Sequence, residues 1–413
     1  MGRPFSSSYL AGDPAAREFL ARDFREPAAR VDATRAAAAR RVSPALLAVL
    51  AEQQTRLAPS AARTDALGSL ARGQTAVVVT GQQVGLFLGP LYSFYKAASA
   101  IAAARALEAA SGVRTVPVFW LQTEDHDFAE IAACHVAGAD DVPVTLSLSD
   151  DSTLARVSVA HRRLGPEVAG LVASLAAALG PGAAAEEIVA LLRAHYVPGR
   201  ALGEAFAGVL AAIFADEGLL VFDPRDARVS ALAAPVYRRA LDDAAAIEAG
   251  LAARSAALAA AGLDEQIPLR DGCSLLFFHE RDAAGPRFRV RTGARWSLSG
   301  SDADLSEADV RAALTREPLR FSTSALLRPI VQDTLLPTAA YVGGPAELSY
   351  FAQLGPLYDH FGLPQPLVIP RARFAFVDAP TRRRLHQLGL TPNAAVRPRA
   401  ELLPRLATGT TAA

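Results

Sequence analysis

The chain has 413 residues, of which 51% are hydrophobic, and its 42 acidic and 42 basic side chains give no net charge. This balance excludes a general attraction to nucleic acid or to an anionic membrane, so the expected partners are small molecules. Two cysteines exclude a disulfide framework, and neither a signal peptide nor a bilayer-spanning run is evident, which predicts a cytoplasmic protein.

The first elements along the chain predict a helical region followed by a parallel sheet. Residues 1–75 are rich in Ala, Arg and Leu at helical spacing. From Ala76 a short β-branched run leads into a glycine-rich turn and a helix that opens at Pro90. A second apolar strand, Thr115–Leu121, follows at the distance that a parallel βαβ crossover needs.

Two segments depart from this alternation and are predicted to be insertions. In the first, at about 137–200, the alternating runs Val142–Leu148 and Leu154–Ala160 predict strands, and Ala-rich helices follow. A helix from about 202 to 217 and the buried strand Gly218–Asp223 then resume the sheet. After a long helical stretch, 226–263, the second insertion at about 264–320 predicts an antiparallel meander with strands Ser274–Glu280, Arg287–Thr292 and Trp296–Ser299.

The last third of the chain returns to alternating helices and strands. The predicted order is a helix near 323–336, a strand Thr338–Val342, a helix Pro345–Phe361 and a strand near Leu367–Val377. The core therefore extends over 76–380. The tail, 381–413, lacks the apolar period of a packed element, and we expect it to be poorly ordered.

The stretch from Thr80 to Lys96 is the first candidate site. Glycines between a strand and a helix let backbone N–H groups approach a phosphate, although this spacing matches neither the dinucleotide nor the P-loop pattern. Close packing is the alternative reading of glycine at every fourth residue. The candidate cofactor-binding residues are Thr80, Gly81, Gln82, Gln83, Gly85 and Gly89.

Lys96 is the only lysine in the chain, and every other basic residue is arginine. A lysine that remains in such a composition suits a compact ammonium that guanidinium cannot imitate. Tyr92 lies one helical turn earlier, so both side chains can face the ligand of the glycine loop. A solvated Lys96 and a half-buried packing role for Tyr92 are the alternatives.

Four ionisable residues follow the second strand, where ligands bind in open α/β sheets. They can hold a divalent ion that carries a nucleotide, act as a general base, or bind a cationic substrate. Asp127 with Glu130 can instead cap a helix. A zinc site from His126, Glu130 and Cys134 needs a helix that runs through Ile131, and three such ligands are a weak basis, so no metal ligands are predicted. The four candidates are Glu124, Asp125, His126 and Asp127.

A third polar cluster surrounds the strand that ends in Gly343 and Gly344. Glu347 in the first turn of the next helix can face a substrate amine or cap that helix. Arg328 and Gln332 share a helical face that suits a carboxylate, with a structural ion pair as the alternative. The candidate substrate-binding residues are Tyr92, Asp127, Arg328, Gln332, Asp333, Tyr341, Gly343, Gly344 and Glu347.

The long motifs in these three clusters occur together and in order, and with them the chain resembles the BshC cysteine ligases of bacillithiol synthesis. They are Thr80-Gly-Gln-Gln-x-Gly, Glu124-Asp-His-Asp-Phe, Arg328-Pro-x-x-Gln-Asp and Tyr341-Val-Gly-Gly-Pro-x-Glu. The resemblance extends over about residues 5–380. It implies an α/β fold: a Rossmann-like parallel-sheet core with two inserted connecting segments, preceded here by the helical N-terminal region.

The resemblance also implies a ligase that adds cysteine to glucosaminyl malate. Family members continue into a helical coiled-coil segment associated with dimerisation, which is largely missing from this sequence, so a homodimer stays an open question. Amide formation needs an activated carboxylate, so we expect ATP as the cofactor, with Mg²⁺ left open. A nucleotidyl or acyl transferase acting on another amine and a non-catalytic metabolite-binding relative are the alternatives.

These expectations assign a hypothetical role to each catalytic candidate. Lys96 and the glycine loop hold phosphates, and His126 deprotonates the sugar amine. Glu124, Asp125 or Glu347 holds the cysteine ammonium or a metal, and Arg328 binds a substrate carboxylate. Replacing Lys96 with methionine is then expected to reduce turnover while leaving folding intact.

Overall fold

The structure, a computed structural model, describes residues 2–138, 142–293, 295–303 and 305–409. The chain divides into two compact units, one that ends at Arg371 and one that begins at Ala372. All three candidate clusters of the sequence lie in the first unit.

A five-stranded, all-parallel sheet forms the centre of the first unit, which confirms the predicted Rossmann-like core. Its spatial order is β5-β4-β1-β2-β3, so the order of strands reverses between β1 and β4. In open α/β sheets this reversal is the switch point at which ligands bind. The strands are β1 (Ala76–Gln82), β2 (Thr115–Leu121), β3 (Leu220–Phe222), β4 (Thr338–Gly343) and β5 (Leu367–Pro370).

These strands form because their apolar residues can be buried on both faces of the sheet. In β1, Val77 and Val79 pack on one face while Ala76 and Val78 pack on the other. The register pairs Ala76 with Thr115 and continues to Gln82 opposite Leu121, so β1 and β2 end at the same level. Continuous β-branched runs of this kind are typical of buried parallel strands.

Helices cover the sheet on both sides. The three that carry candidate site residues are α1 (Tyr92–Ser111), α2 (Arg328–Leu335) and α3 (Pro345–Phe351). The N-terminal region is helical as predicted, with a two-residue strand Arg3–Pro4 beside Leu263–Asp264. Its helices are Phe5–Leu10, Pro14–Arg17, Pro27–Ala38, Pro44–Thr55 and Ala61–Arg72.

Between β2 and β3 the chain forms an antiparallel hairpin and three longer helices. The hairpin pairs Ala133–Ala137 with Pro143–Ser147. The predicted strand Leu154–Ala160 is wrong: its ends lie in two short 3₁₀ turns, and its alternation reflects the packing of Val157 and Val159 into the core. The short helix Phe128–Ile131 precedes the hairpin, and the helices Val168–Leu179, Ala183–His195 and Leu202–Ile213 follow it.

Between β3 and β4 the predicted meander is present as part of a four-stranded antiparallel sheet. Its spatial order is Ser297–Ser299, Arg287–Arg291, Cys273–His279 and Phe321–Thr323. The prediction of a helix from 323 is wrong, because Phe321–Thr323 pairs with the meander and α2 begins only at Arg328. The other helices of this segment are Ala227–Asp242, Ala244–Ala260 and Glu307–Arg316.

The C-terminal elements are shorter than predicted. The helix predicted over Pro345–Phe361 is two helices, α3 and Gly355–Phe361, and β5 ends at Pro370 rather than Val377. The second unit contains the helices Ala379–Gln387, Pro392–Ala395 and Arg399–Gly409, within the segment expected to be poorly ordered. In the parts of the chain that the structure describes, no helix has the length and apolarity that a bilayer crossing requires.

Candidate functional site

A cavity of about 530 Å³ lies where β1, β2 and β4 end, at the switch point of the sheet. Helices α1, α2 and α3 and the inserted antiparallel sheet provide its remaining walls. Ten of the residues predicted from sequence line it together: Gln82, Gln83, Tyr92, Lys96, Glu124, Asp125, His126, Arg328, Gly344 and Glu347. The structure therefore brings the three polar clusters to one place.

Lys96 is buried and joins the end of β1 to helix α3. Its Nζ donates hydrogen bonds to the backbone oxygen of Gly81 and to Oε1 of Gln82, both at 2.8 Å. The same nitrogen lies 2.5 Å from Oε2 of Glu347 on α3, and the two side chains are only 3% and 12% exposed. All three donors of the ammonium are thus used inside the protein.

This geometry explains why arginine does not replace Lys96. Three acceptors surround a single point, which suits the three donors of an ammonium and not the flat fork of a guanidinium. Burial lowers the pKa of Lys96, and the Glu347 carboxylate opposes that effect. Burial alone would raise the pKa of Glu347, but the Lys96 charge and the bonds that the carboxylate accepts hold it below its ordinary value.

Glu347 is both a helix cap and the partner of Lys96. Its Oε2 accepts from the backbone N–H of Gly344 at 2.7 Å, and its Oε1 accepts from the Tyr341 hydroxyl at 2.5 Å. A side chain at Gly343 would meet Cβ of Glu347 at 2.8 Å, so glycine is needed for this approach. Tyr341 and Gly343 therefore position Glu347 and do not themselves line the cavity.

The glycine loop of the first motif is held by its own contacts. The N–H of Gly85 donates to the backbone oxygen of Gln83, and that of Gly89 donates to Leu86. Phe87 and Leu88 adopt left-handed φ values of 53° and 62°, at a cost of about 1–3 kcal/mol each. Gly85 and Gly89 are outside the cavity lining, so packing accounts for their spacing.

Gly85→Ala is expected to destabilise the protein, because the new Cβ would lie 1.9 Å from the backbone oxygen of Gly89. The loop must then shift, and we expect the thermal unfolding midpoint to fall. Gly170→Ala is the matched control, since nothing lies within 4 Å of that Cβ on the exposed face of the Val168–Leu179 helix. A helix-favouring alanine there should leave the midpoint unchanged or raise it. Equal midpoints for the two variants would contradict the packing role of Gly85.

His126 faces the cavity beside the carboxylate of Asp125. The imidazole Nδ1 lies 3.5 Å from Oδ1 of Asp125, and Oδ2 of Asp125 accepts from Nε2 of Gln83 at 2.7 Å. Burial alone would raise the pKa of Asp125, but the bonds from His126, the charge of Arg287 and the bond from Gln83 hold it well below its ordinary value. An ionised carboxylate therefore adjoins the imidazole, which is the arrangement of a general base with an orienting partner.

Glu124 occupies a different environment from Asp125. Desolvation raises its pKa, against the nearby charges of Arg225 and Arg287. Its Oε2 accepts from the Thr323 hydroxyl at 3.2 Å, and its backbone oxygen accepts from Ser158 and Arg287. The pKa values of Glu124 and Asp125 are thus shifted in opposite directions, which suits separate roles in catalysis.

The other predicted residues serve the fold around the cavity. The Thr80 hydroxyl donates to the backbone oxygen of Val342 at 2.8 Å and so ties β1 to β4. Asp127 caps the short helix that begins at Phe128, as its alternative reading expected. Gln332 and Asp333 are buried behind the cavity. There Asp333 accepts from Gln332 at 2.9 Å and from the Tyr358 hydroxyl at 2.5 Å.

Several lining residues were missed by the sequence reasoning. Arg287 and Arg289 come from the inserted sheet, more than 150 residues after Glu124, and their guanidinium carbons lie 4.0 and 4.5 Å from the ring centre of Phe277. The alternation Arg-Phe-Arg-Val-Arg in that strand places arginines on one face and is the signal that could have found them. The remaining ones include Trp120, Gln122, Glu130, Thr323, Tyr350 and Arg371.

The alternative zinc site from His126, Glu130 and Cys134 does not form in the described part of the chain. The helix that would align its ligands ends at Ile131, and Cys134 lies in the following strand. No group of three His, Cys, Asp or Glu side chains among the described residues has the geometry to hold a metal ion.

Comparison with known proteins identifies the family. The model of "Bacillithiol biosynthesis BshC, N-terminal Rossmann-like domain" matches residues 2–372. A relative from Salinibacter ruber is 36% identical over 93% of this chain and 70% of its own length. Relatives from Koribacter versatilis and Chloroherpeton thalassium are 36% and 33% identical, over 78% and 91% of this chain.

All three relatives carry the name "Putative cysteine ligase BshC". The chain covers 58% and 66% of the length of the second and third, so it spans about two thirds of the relatives it matches. The family match covers the five-stranded sheet, both insertions and every residue that lines the cavity. The chain belongs to the BshC family of bacillithiol biosynthesis proteins.

Proposed function

We propose that this chain is a ligase that joins the carboxyl group of cysteine to the amine of glucosaminyl malate. The observation that carries the proposal is the single cavity at the switch point, in which ammonium, guanidinium, imidazole and carboxylate groups converge. Its volume lies within the range of about 300–1,000 Å³ that small-molecule sites have. The ligase name of the relatives agrees with this chemistry.

The charges around the cavity suit these two substrates. Its cations are Lys96, Arg287, Arg289, Arg328 and Arg371, and its acids are Glu124, Asp125, Glu130 and Glu347. Both substrates carry carboxylates and an amine, so each needs cationic and anionic partners. Under the proposal, guanidinium groups bind the carboxylates and Glu124 binds the cysteine ammonium.

His126 is proposed to remove the proton from the sugar amine as the amide forms. Its Nδ1 faces Asp125, so the other ring nitrogen is available to the cavity. Asp125 keeps the imidazole oriented and stabilises the positive charge that the ring acquires. Lys96 acts here as a positioning residue, because its donors hold Gln82 and Glu347 in place.

ATP is the proposed cofactor, and it supplies the activation that a carboxylate needs before an amine can attack it. Nε of Arg287 is buried without a hydrogen-bond partner in the cavity wall, which fits an anionic ligand. Arg287 is the residue proposed to hold phosphate groups. Whether Mg²⁺ accompanies the nucleotide stays open.

The test is to incubate the purified protein with ATP, cysteine and glucosaminyl malate and to follow the products by mass spectrometry. We expect bacillithiol, and none when any one reactant is left out or when the protein is denatured. Nucleotide cleavage without bacillithiol would instead favour a transferase. Bound but unaltered substrates would favour a metabolite-binding protein, and either result would overturn the proposal. The proposal also places the protein in the cytoplasm.

A further inference from the structure

Arg289 is a half-buried cation without an anionic partner. Its Nη1 donates a long 3.4 Å hydrogen bond to the backbone oxygen of Ser274, and its Nε is buried without a partner. No carboxylate of the described residues is recorded in an ion pair with it, and the charged groups that act on it are Arg270 and the thiol of Cys273. Removing an uncompensated charge from water is costly, so the site favours an anion from solution.

Two neighbouring side chains also present unused donors. The Ser324 hydroxyl and Nη1 of Arg328 are buried without hydrogen-bond partners, and these residues are 7% and 8% exposed. Ser324 follows the last strand of the inserted sheet, Arg328 begins α2, and both line the main cavity with Arg289. An unsatisfied buried donor costs about 1–3 kcal/mol, which a bound acceptor would offset.

Arg289 and Ser324 also line a smaller cavity of about 100 Å³. They line both cavities, so the smaller cavity lies next to the main one at these two residues. The small volume admits a short carboxylate-bearing group and not a nucleotide. Its wall also contains Arg270 and Glu248, and the Glu248 carboxylate accepts from the backbone N–H of Gly272.

We propose that Arg289, Ser324 and Arg328 form a dicarboxylate subsite that binds the malate end of the acceptor substrate. This inference rests on the proposed ligase function for the identity of the acceptor. Arg289 provides a planar fork for one carboxylate, and Ser324 and Arg328 provide donors for the other. The subsite makes the acceptor's carboxylates, and not its sugar, the determinant of specificity.

The experiment is titration calorimetry of glucosaminyl malate and of glucosamine, which lacks the carboxylates, into the wild-type protein, Arg289→Gln and Arg289→Lys. Arg291→Gln is the matched control, because Arg291 lies on the same strand, is exposed and is outside the cavity lining. Loss of one charge-assisted contact predicts roughly 10- to 100-fold weaker binding of glucosaminyl malate to Arg289→Gln. Arg289→Lys should recover part of the lost affinity for glucosaminyl malate, and Arg291→Gln should bind glucosaminyl malate as tightly as the wild type does.

Titration of ATP into the same variants separates a carboxylate subsite from a phosphate subsite. The inference would be overturned if Arg289→Gln bound ATP more weakly than the wild type does but bound glucosaminyl malate equally well. It would also be overturned by equal binding of glucosaminyl malate to the wild type and Arg289→Gln, by equal affinity of the wild type for glucosamine, or by no binding of glucosaminyl malate to the wild type. These experiments measure affinity and not product formation, so they are independent of the test of the ligase function. A failure to form bacillithiol would count against the ligase function, whereas a loss of binding that is specific to the carboxylate-bearing ligand would still support the subsite.

Discussion

Lys96→Met is expected to lower the free energy of unfolding by about 3–5 kcal/mol, because it leaves the buried Glu347 carboxylate without its cation. The change also leaves the acceptor oxygens of Gly81 and Gln82 without their hydrogen-bond donor. This revises the expectation from sequence that the variant would lose turnover and fold normally. Urea unfolding followed by tryptophan fluorescence measures the effect, since Trp120 lies in the cavity wall.

Four further variants make this prediction specific: Lys96→Arg, Glu347→Gln, its double variant with Lys96→Met, and Arg105→Met. Lys96→Arg should also be destabilised, because a guanidinium does not match three acceptors around one point. The double variant Lys96→Met with Glu347→Gln should lose less stability than the sum of its two single changes. Arg105→Met removes an exposed cation from the same helix and should cost less than about 1 kcal/mol. The proposed role of the pair would be contradicted if the stability losses of Lys96→Met and Glu347→Gln were additive in the double variant. A Lys96→Arg variant as stable as the wild type would contradict it as well.

The pair also predicts a pH dependence with a defined sign. The pKa of Glu347 is lowered in the folded protein, so its contribution to stability is present above the ordinary value of 4.5 and is lost as the pH falls through the lowered pKa. The difference in stability between the wild type and Lys96→Met should therefore shrink on acidification below that range.

His126→Ala is expected to reduce the turnover number for bacillithiol by about 100- to 10,000-fold, the usual contribution of a general base. The imidazole is partly exposed, at 28% of its side-chain area, so its removal should leave the unfolding midpoint close to that of the wild type. Quantitative mass spectrometry of initial rates measures the effect at saturating substrate.

His135→Ala is the control for this prediction. His135 lies in the hairpin that follows, is exposed, and contacts the Thr145 hydroxyl at 2.9 Å. It should turn over as the wild type does. A His126→Ala variant that keeps the wild-type turnover number would exclude the imidazole as the base and leave Glu124 as the next candidate, because desolvation raises its pKa.

The parallel sheet could be predicted because its signal is local. The β-branched run in β1 and the apolar run in β2 are buried on both faces, and such runs are legible without knowledge of their neighbours. The order in which the strands lie side by side depends on contacts distant in sequence. The register of β4 beside β1, between Tyr341 and Val79, is one such contact.

The candidate site could be predicted where motif and geometry coincide, as for Lys96, His126 and Glu347. The sequence could not show that Lys96 is saturated by three acceptors, because one of them is a backbone oxygen and another comes from α3. It also could not bring Arg289 to the cavity, since that requires the fold of the inserted sheet. The prediction of a strand at Leu154–Ala160 was wrong because a local pattern was misleading: buried residues in short turns alternate with exposed ones as they do in a strand.

The central claim is that the amide bond forms in the cavity at the switch point between β1 and β4. The most direct test is a crystal structure of the protein with glucosaminyl malate bound. We expect the acceptor in this cavity, with its amine within hydrogen-bond reach of His126 and its carboxylates at Arg289 and Arg328. An acceptor bound outside the cavity, or one whose amine points away from His126, would contradict the account.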